Sequence, residues 1–133
     1  MSQENVELVR RIYEAAARRD SEAVLALYDP DVELDSSRTN ELGSSVYRGH
    51  EGLRKMFREW HEAWENIEYD YEHLEDMGDH VIATVTRRAR GRTSGVDVKL
   101  HVTLVWTISE AKVVQVVWFR TRDEVLEHIG HSK

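Results

Sequence analysis

Two residues of this chain have the side chains and neighbours that proton-transfer chemistry needs. His101 shares one face of an alternating segment with Thr103, so the pair can position a carbonyl or act as acid and base near neutral pH. Asp35 adjoins an irregular stretch, and an apolar surrounding would raise its pKa into the range of a usable base. Each has a plainer reading: a histidine satisfied by a neighbour, and a turn or capping carboxylate. Trp60, Trp64, Trp106 and Trp118, with Tyr13, Tyr28 and Phe57, supply either an aromatic pocket wall or ordinary core. Of these, Tyr13, Trp60 and Trp118 are the expected pocket residues, joined by Thr103 and by Arg120 as an anchor for a polar ligand group.

Arg87, Arg88, Arg90 and Arg92 form the dense basic cluster, with Arg87 on the face opposite the other three. They are expected to pair with nearby carboxylates or to bridge a dimer rather than to bind an anion. Interleaved aromatics are missing there and the chain carries a net charge of −7, so nucleic acid is a poor partner. The segment HEAWE at His61 to Glu65 has glutamate where a zinc-protease helix needs its second histidine. With no cysteine, the chain has no disulfide, thiolate nucleophile or Cys-based zinc site. No glycine-rich phosphate loop or serine elbow is present, and neither a metal nor any other cofactor is expected.

The elements that must position these groups follow from periodicity. A first helix is expected from a cap at Ser2 through to Arg19, with Val9, Ile12, Tyr13 and Ala16 at helical spacing. Asp20 caps a second, whose stripe is Ala23, Val24, Leu27 and Tyr28 and which Pro30 ends. Asp31 to Asp35 reads as a short strand and Ser36 to Ser45 as a loop. A long helix starts at Gly49 and His50, with Leu53, Met56, Phe57, Trp60 and Trp64 along one stripe. The period then drops to two through Ile67 to Met77, His80 to Gly91, Val96 to Ser109 and Lys112 to Arg120, with turns at Gly78-Asp79, Ser94-Gly95 and Glu110-Ala111. Asp123 to Ile129 closes as a short helix, and His128 and His131 are expected at the surface.

At 133 residues, 41% hydrophobic and 32% charged, this is the material of one soluble domain spanning 1–133. No apolar run approaches a membrane span, and the polar start lacks the apolar stretch of a secretory signal, so a cytoplasmic protein without membrane contact is expected. Helices first and a meander last make an α+β order, with three helices covering one face of a curved antiparallel sheet as a cone around an internal pocket.

That order, and the phrases VRRIYEAAARRD, ALYDPDVEL, YRGHEGLRKMF, KVVQVVWF and DEVLEHIG, resemble the NTF2-like superfamily and its SnoaL-like branch of polyketide cyclases and ketosteroid isomerase relatives. The resemblance implies a cone-shaped pocket and a homodimer through the sheet. Ketosteroid isomerases use a tyrosine, an aspartate base and a second acidic donor. This sequence puts Ile12, Leu34 and Thr103 at those positions, with Tyr13 and Asp35 one place along. A steroid-isomerase mechanism is therefore disfavoured unless a bulge turns Asp35 inward. The expected function is a small-molecule pocket protein, either a cofactor-free lyase, isomerase or hydrolase using acid–base chemistry on an apolar carbonyl or epoxide compound, or a non-catalytic binding or dimerisation module.

Overall fold

A computed structural model describes residues 2–39 and 46–131, without the side chains of residues 2, 72, 130 and 131. The expected capping role of Ser2, the exposure of His131 and the loop at residues 40–45 fall outside what is described. Helix α1 (Ser2–Ala17) turns into α2 (Ser21–Ala26) at Asp20, whose carboxylate accepts the Ala23 N–H at 3.1 Å. That bond satisfies one of the donors a helix start leaves open.

Tyr28 does not extend α2 as its spacing suggested. It opens strand β1 (Tyr28–Asp35) instead. The Val113 N–H donates to Leu27 O at 3.1 Å and Lys112 donates to Ala26 O at 2.6 Å, so pairing with a distant strand overrides the local helical stripe. Pro30 lies within this strand, at an irregularity between Tyr28 and Glu33 where a missing N–H breaks no ladder bond.

After a 3-10 turn at Ser37–Thr39, an edge strand β2 (Val46–Arg48), absent from the sequence reading, leads into α3 (Gly49–Ala63). Gly49 has φ +69°, and a Cβ there would meet the Pro30 carbonyl at 3.2 Å, so glycine is required at this entry. Trp64 belongs to neither the helix nor its stripe: at φ −129° and ψ 147° it is already extended and begins β3 (Trp64–Met77).

The hairpins follow as β4 (His80–Gly91), β5 (Asp97–Ser109) and β6 (Lys112–Phe119), and α4 (Arg122–His131) ends the described chain. Glu110 and Ala111 both take positive φ, 52° and 62°, the backbone that a two-residue hairpin turn demands.

The sheet order is β2-β1-β6-β5-β4-β3. All neighbours are antiparallel except β1 and β6, which run parallel because the rest of the sheet intervenes between them in sequence. Helices α1 to α3 pack on one face, where Val9, Leu53, Val81 and Val116 are fully buried. A smaller cluster of Ile82, Val105, Val117 and Phe119 lies on the other face beneath Val125 of α4. The valine-rich β6 is therefore buried on both sides, and its neighbour β5 is buried on both sides through its second half. Among the described residues no helix is long and apolar enough to cross a membrane.

Candidate functional site

Between the helices and the sheet lies a cavity of about 150 Å³. Strand alternation decides which residues reach it: Val102, Leu104 and Trp106 of β5 pair with Val85, Ala83 and Val81 of β4, and Leu104 and Trp106 pair with Trp118 and Val116 of β6. The inner wall is thus the apolar face of β5. Ile12 and Tyr13 of α1 and Met56, Phe57 and Trp60 of α3 complete it. The open end lies where α1 meets α2 and α3 meets β3, and there Arg19, Asp20, His61, Glu65 and Arg92 line the rim. Among the described residues, the carboxylates and imidazole of the wall are confined to this rim.

Deeper in, aromatic rings carry the polar atoms. The Tyr13 ring stacks on Tyr71 with centroids 4.9 Å apart and meets Trp106 edge-on at 5.7 Å. Trp60 and Trp118 tilt against each other at 5.1 Å. The Arg87 guanidinium lies 4.6 Å from the Trp60 ring centre and 5.7 Å from that of Trp118, within cation–π range of both.

The Tyr13 hydroxyl and the indole N–H groups of Trp106 and Trp118 are buried without a hydrogen-bond partner. Burial, reinforced by the neighbouring tyrosines Tyr28 and Tyr69, pushes the Tyr13 hydroxyl well above its ordinary pKa. The Trp106 indole is close enough to offset a little of that rise, yet the two atoms do not meet in a hydrogen bond of ordinary geometry. Burial raises Tyr28 in the same way. Buried donors without a partner of ordinary geometry are uncommon in folded proteins, and here three belong to residues that line one cavity.

Of the residues expected at a site, Tyr13, Trp60 and Trp118 lie on this wall. Asp35, His101, Thr103 and Arg120 do not. Leu34 takes the wall position, and the irregularity in β1 lies before Glu33, so nothing turns Asp35 inward. Its carboxylate instead accepts the Ser37 N–H at 2.9 Å and the Ser37 hydroxyl at 2.5 Å, the work of a turn residue.

His101 is exposed on the outer sheet face, with Nδ1 2.9 Å from the Thr86 hydroxyl. Thr103 is buried on that same outer face, opposite Thr84 and Phe119. Both were misplaced because the apolar side of β5, not its polar side, faces the interior. Arg120 is exposed and pairs with Glu124 at 3.7 Å at the start of α4. The basic cluster divides as alternation implied: Arg88 pairs with Asp70, Arg90 with Asp97 at 2.9 Å and Arg92 with Glu65 at 3.8 Å, whereas Arg87 turns to the cavity. Trp106, named among the aromatic residues that supply either a pocket wall or core, and Arg87, read with its cluster as a partner for carboxylates, both line the cavity. The one signal for Arg87 was its lone place on the inner face.

A cone of α-helices and curved sheet around a cavity lined with aromatic rings, open at one end, defines a pocket domain of the NTF2-like fold. The profile of the SnoaL-like domain family matches residues 9–116, and the chain belongs to that family. It is similar to an NTF2-like protein of unknown function from Burkholderia pseudomallei, at 23% identity over 93% of this chain and 95% of that one, with a TM-score of 0.80. An NTF2-like protein from Burkholderia thailandensis is 25% identical over 93% and 95% of the two chains, with a TM-score of 0.79. The protein TerC, co-crystallised with polyporic acid, is 20% identical over 93% and 96%, with a TM-score of 0.78. A search of curated proteins found no match. No group of His, Cys, Asp and Glu among the described residues is arranged to hold a metal ion.

Proposed function

We propose that this chain binds a compact, mostly apolar small molecule bearing a hydrogen-bond-accepting oxygen. The observation that carries this reading is a set of three buried donors without a partner of ordinary hydrogen-bond geometry, all on residues that line the cavity: Tyr13 O–H, Trp106 N–H and Trp118 N–H. An acceptor that reached any of them would satisfy a donor that no protein group meets in ordinary geometry. The aromatic and aliphatic remainder of the wall favours a ligand body without other polar groups. TerC, of the same fold, was co-crystallised with the organic molecule polyporic acid, which supports a small-molecule role.

Binding rather than acid–base turnover is the reading proposed. The lyase, isomerase or hydrolase version needed Asp35 and His101 in the pocket, and both stand on the other side of the sheet. The test is titration of benzamide, whose ring matches the cavity in size and whose carbonyl supplies the acceptor, followed by tryptophan fluorescence and thermal unfolding. Saturable quenching with a rise in Tm is expected, and Val102→Phe, which fills the cavity from β5, should abolish both. A response that persists in Val102→Phe at unchanged affinity would place the ligand elsewhere and sink the proposal.

A further inference from the structure

The mouth of the cavity is built where α3 ends without a loop. Trp64 leaves the helix in extended backbone and enters β3 directly, and two residues on Asn66 takes φ 55°, a left-handed conformation that asparagine tolerates better than most residues. Burial along α3 is concentrated at Leu53 and Met56, and its last turn, Trp60 to Ala63, contains no fully buried residue. A helix end also leaves its final carbonyls without intrahelical donors. Arg92, at the start of the β4–β5 turn, meets two of them: its backbone N–H donates to Ala63 O at 3.0 Å and its Nε–H to His61 O at 2.6 Å. Its Nη1 lies 3.8 Å from the Glu65 carboxylate, and a cation there complements the negative end of the helix dipole. The turn that carries Arg92 is tied internally. Gly95 N–H donates to Gly91 O at 2.8 Å, Gly91 N–H to Val96 O at 3.0 Å and Val96 N–H to the Ser94 hydroxyl at 3.1 Å.

We propose that Arg92 is a positioning residue of the ligand site: a clamp whose release lets the last turn of α3 and the start of β3 move away from the β4–β5 turn, setting the rate at which ligand enters and leaves. This inference rests on the cavity being a ligand site, as proposed above. The tied turn is the fixed jaw and the α3–β3 junction the moving one. His61 and Glu65, which Arg92 grips, stand on the rim, and Trp60 and Trp64 of the same stretch line the cavity. The contacts that hold the junction are therefore the contacts that bound the mouth. They are made by half-exposed side chains, so releasing them costs far less than unfolding the domain. Local openings of this kind commonly set ligand exchange rates.

A purely structural Arg92 would affect stability and leave ligand exchange rates untouched. The deciding experiment follows benzamide binding by stopped-flow tryptophan fluorescence in the wild type, Arg92→Met and Glu65→Gln. Arg92→Met keeps the backbone bond to Ala63 and the apolar stem but loses the bond to His61 and the pair with Glu65. Its association and dissociation rates should both rise about tenfold, the worth of one hydrogen bond from a charged donor, with their ratio within about twofold of wild type. Glu65→Gln, which removes only the longer pair, should raise both about two- to threefold. In ligand-free Arg92→Met, amide hydrogen exchange should quicken at residues 61–67 and stay unchanged in β5 and β6. Thermal unfolding of each variant confirms that it is folded. Unchanged rates in Arg92→Met, a rise in dissociation alone, or unchanged hydrogen exchange at residues 61–67 overturns the clamp and leaves the cavity reading intact. Failure of benzamide to bind wild type overturns the two together.

Discussion

Replacing Tyr13 by phenylalanine should make the ligand-free protein more stable and the ligand complex weaker. The hydroxyl is buried with no partner of ordinary hydrogen-bond geometry, while the ring stacks on Tyr71 and abuts Trp106. Phenylalanine keeps both ring contacts and removes only the oxygen. A buried, unsatisfied polar group costs about 1–3 kcal/mol. The nearby Trp106 indole recovers part of that, so a gain of about 1 kcal/mol is expected, or about 3–5 °C in Tm for a domain of this size.

The pH dependence adds a second reading. The folded pKa of Tyr13 is raised, so its contribution to stability is fully present below the unfolded tyrosine pKa of about 10. It is lost as pH climbs from there toward the folded value, because the unfolded chain releases a proton that the folded chain retains. Tyr28 behaves alike, so wild-type stability should fall steeply above about pH 10, and Tyr13→Phe should flatten that fall without removing it. Urea unfolding followed by circular dichroism at pH 8 and at pH 10.5 measures both effects, and calorimetry with benzamide should show about a three- to tenfold loss of affinity. A variant less stable than wild type by more than about 1 kcal/mol would show that the hydroxyl does have a partner, and the argument from orphaned donors would fail.

The other expectations concern what should not matter and what must. Asp35→Asn and His101→Ala alter groups on the outer side of the sheet, so benzamide affinity should stay within about twofold by calorimetry; a larger loss in either returns that residue to the site. Leu53→Ala empties a position with 0% exposure beneath α3 and should cost about 2–5 kcal/mol in urea unfolding, whereas a cost below about 1 kcal/mol would mean that the helix is loosely seated. Gly49→Ala forces a side chain into positive φ against the Pro30 carbonyl, and a loss of about 1–2 kcal/mol in the same assay is expected; no loss would mean the backbone there relaxes freely.

Much of the architecture could be read from periodicity, because a helix stripe such as Leu53, Met56, Phe57 and Trp60 and the alternation of β5 are local consequences of burial on one face. The misreadings are those where a distant partner decides. Tyr28 has helical spacing to Val24, yet β6 recruits it into a strand, and Trp64 continues the α3 stripe, yet the chain extends there to pair with Gly91. Strand β2 is three residues long and exists through its pairing with β1, so its own sequence carries little signal.

The site was less legible than the fold for a related reason. A search for chemistry favours titratable side chains, and on β5 that search selects His101 and Thr103, the face that points away from the cavity. The inward face, Val102, Leu104 and Trp106, is indistinguishable by composition from core, because an apolar cavity and a filled core want the same wall. What separates them is whether the polar atoms of the aromatic residues find partners. That property arises only when α1, β5 and β6 come together around Tyr13, Trp106 and Trp118. Alternation alone did put Arg87 on the face opposite Arg88, Arg90 and Arg92, where its guanidinium lies against the Trp60 and Trp118 rings of the wall.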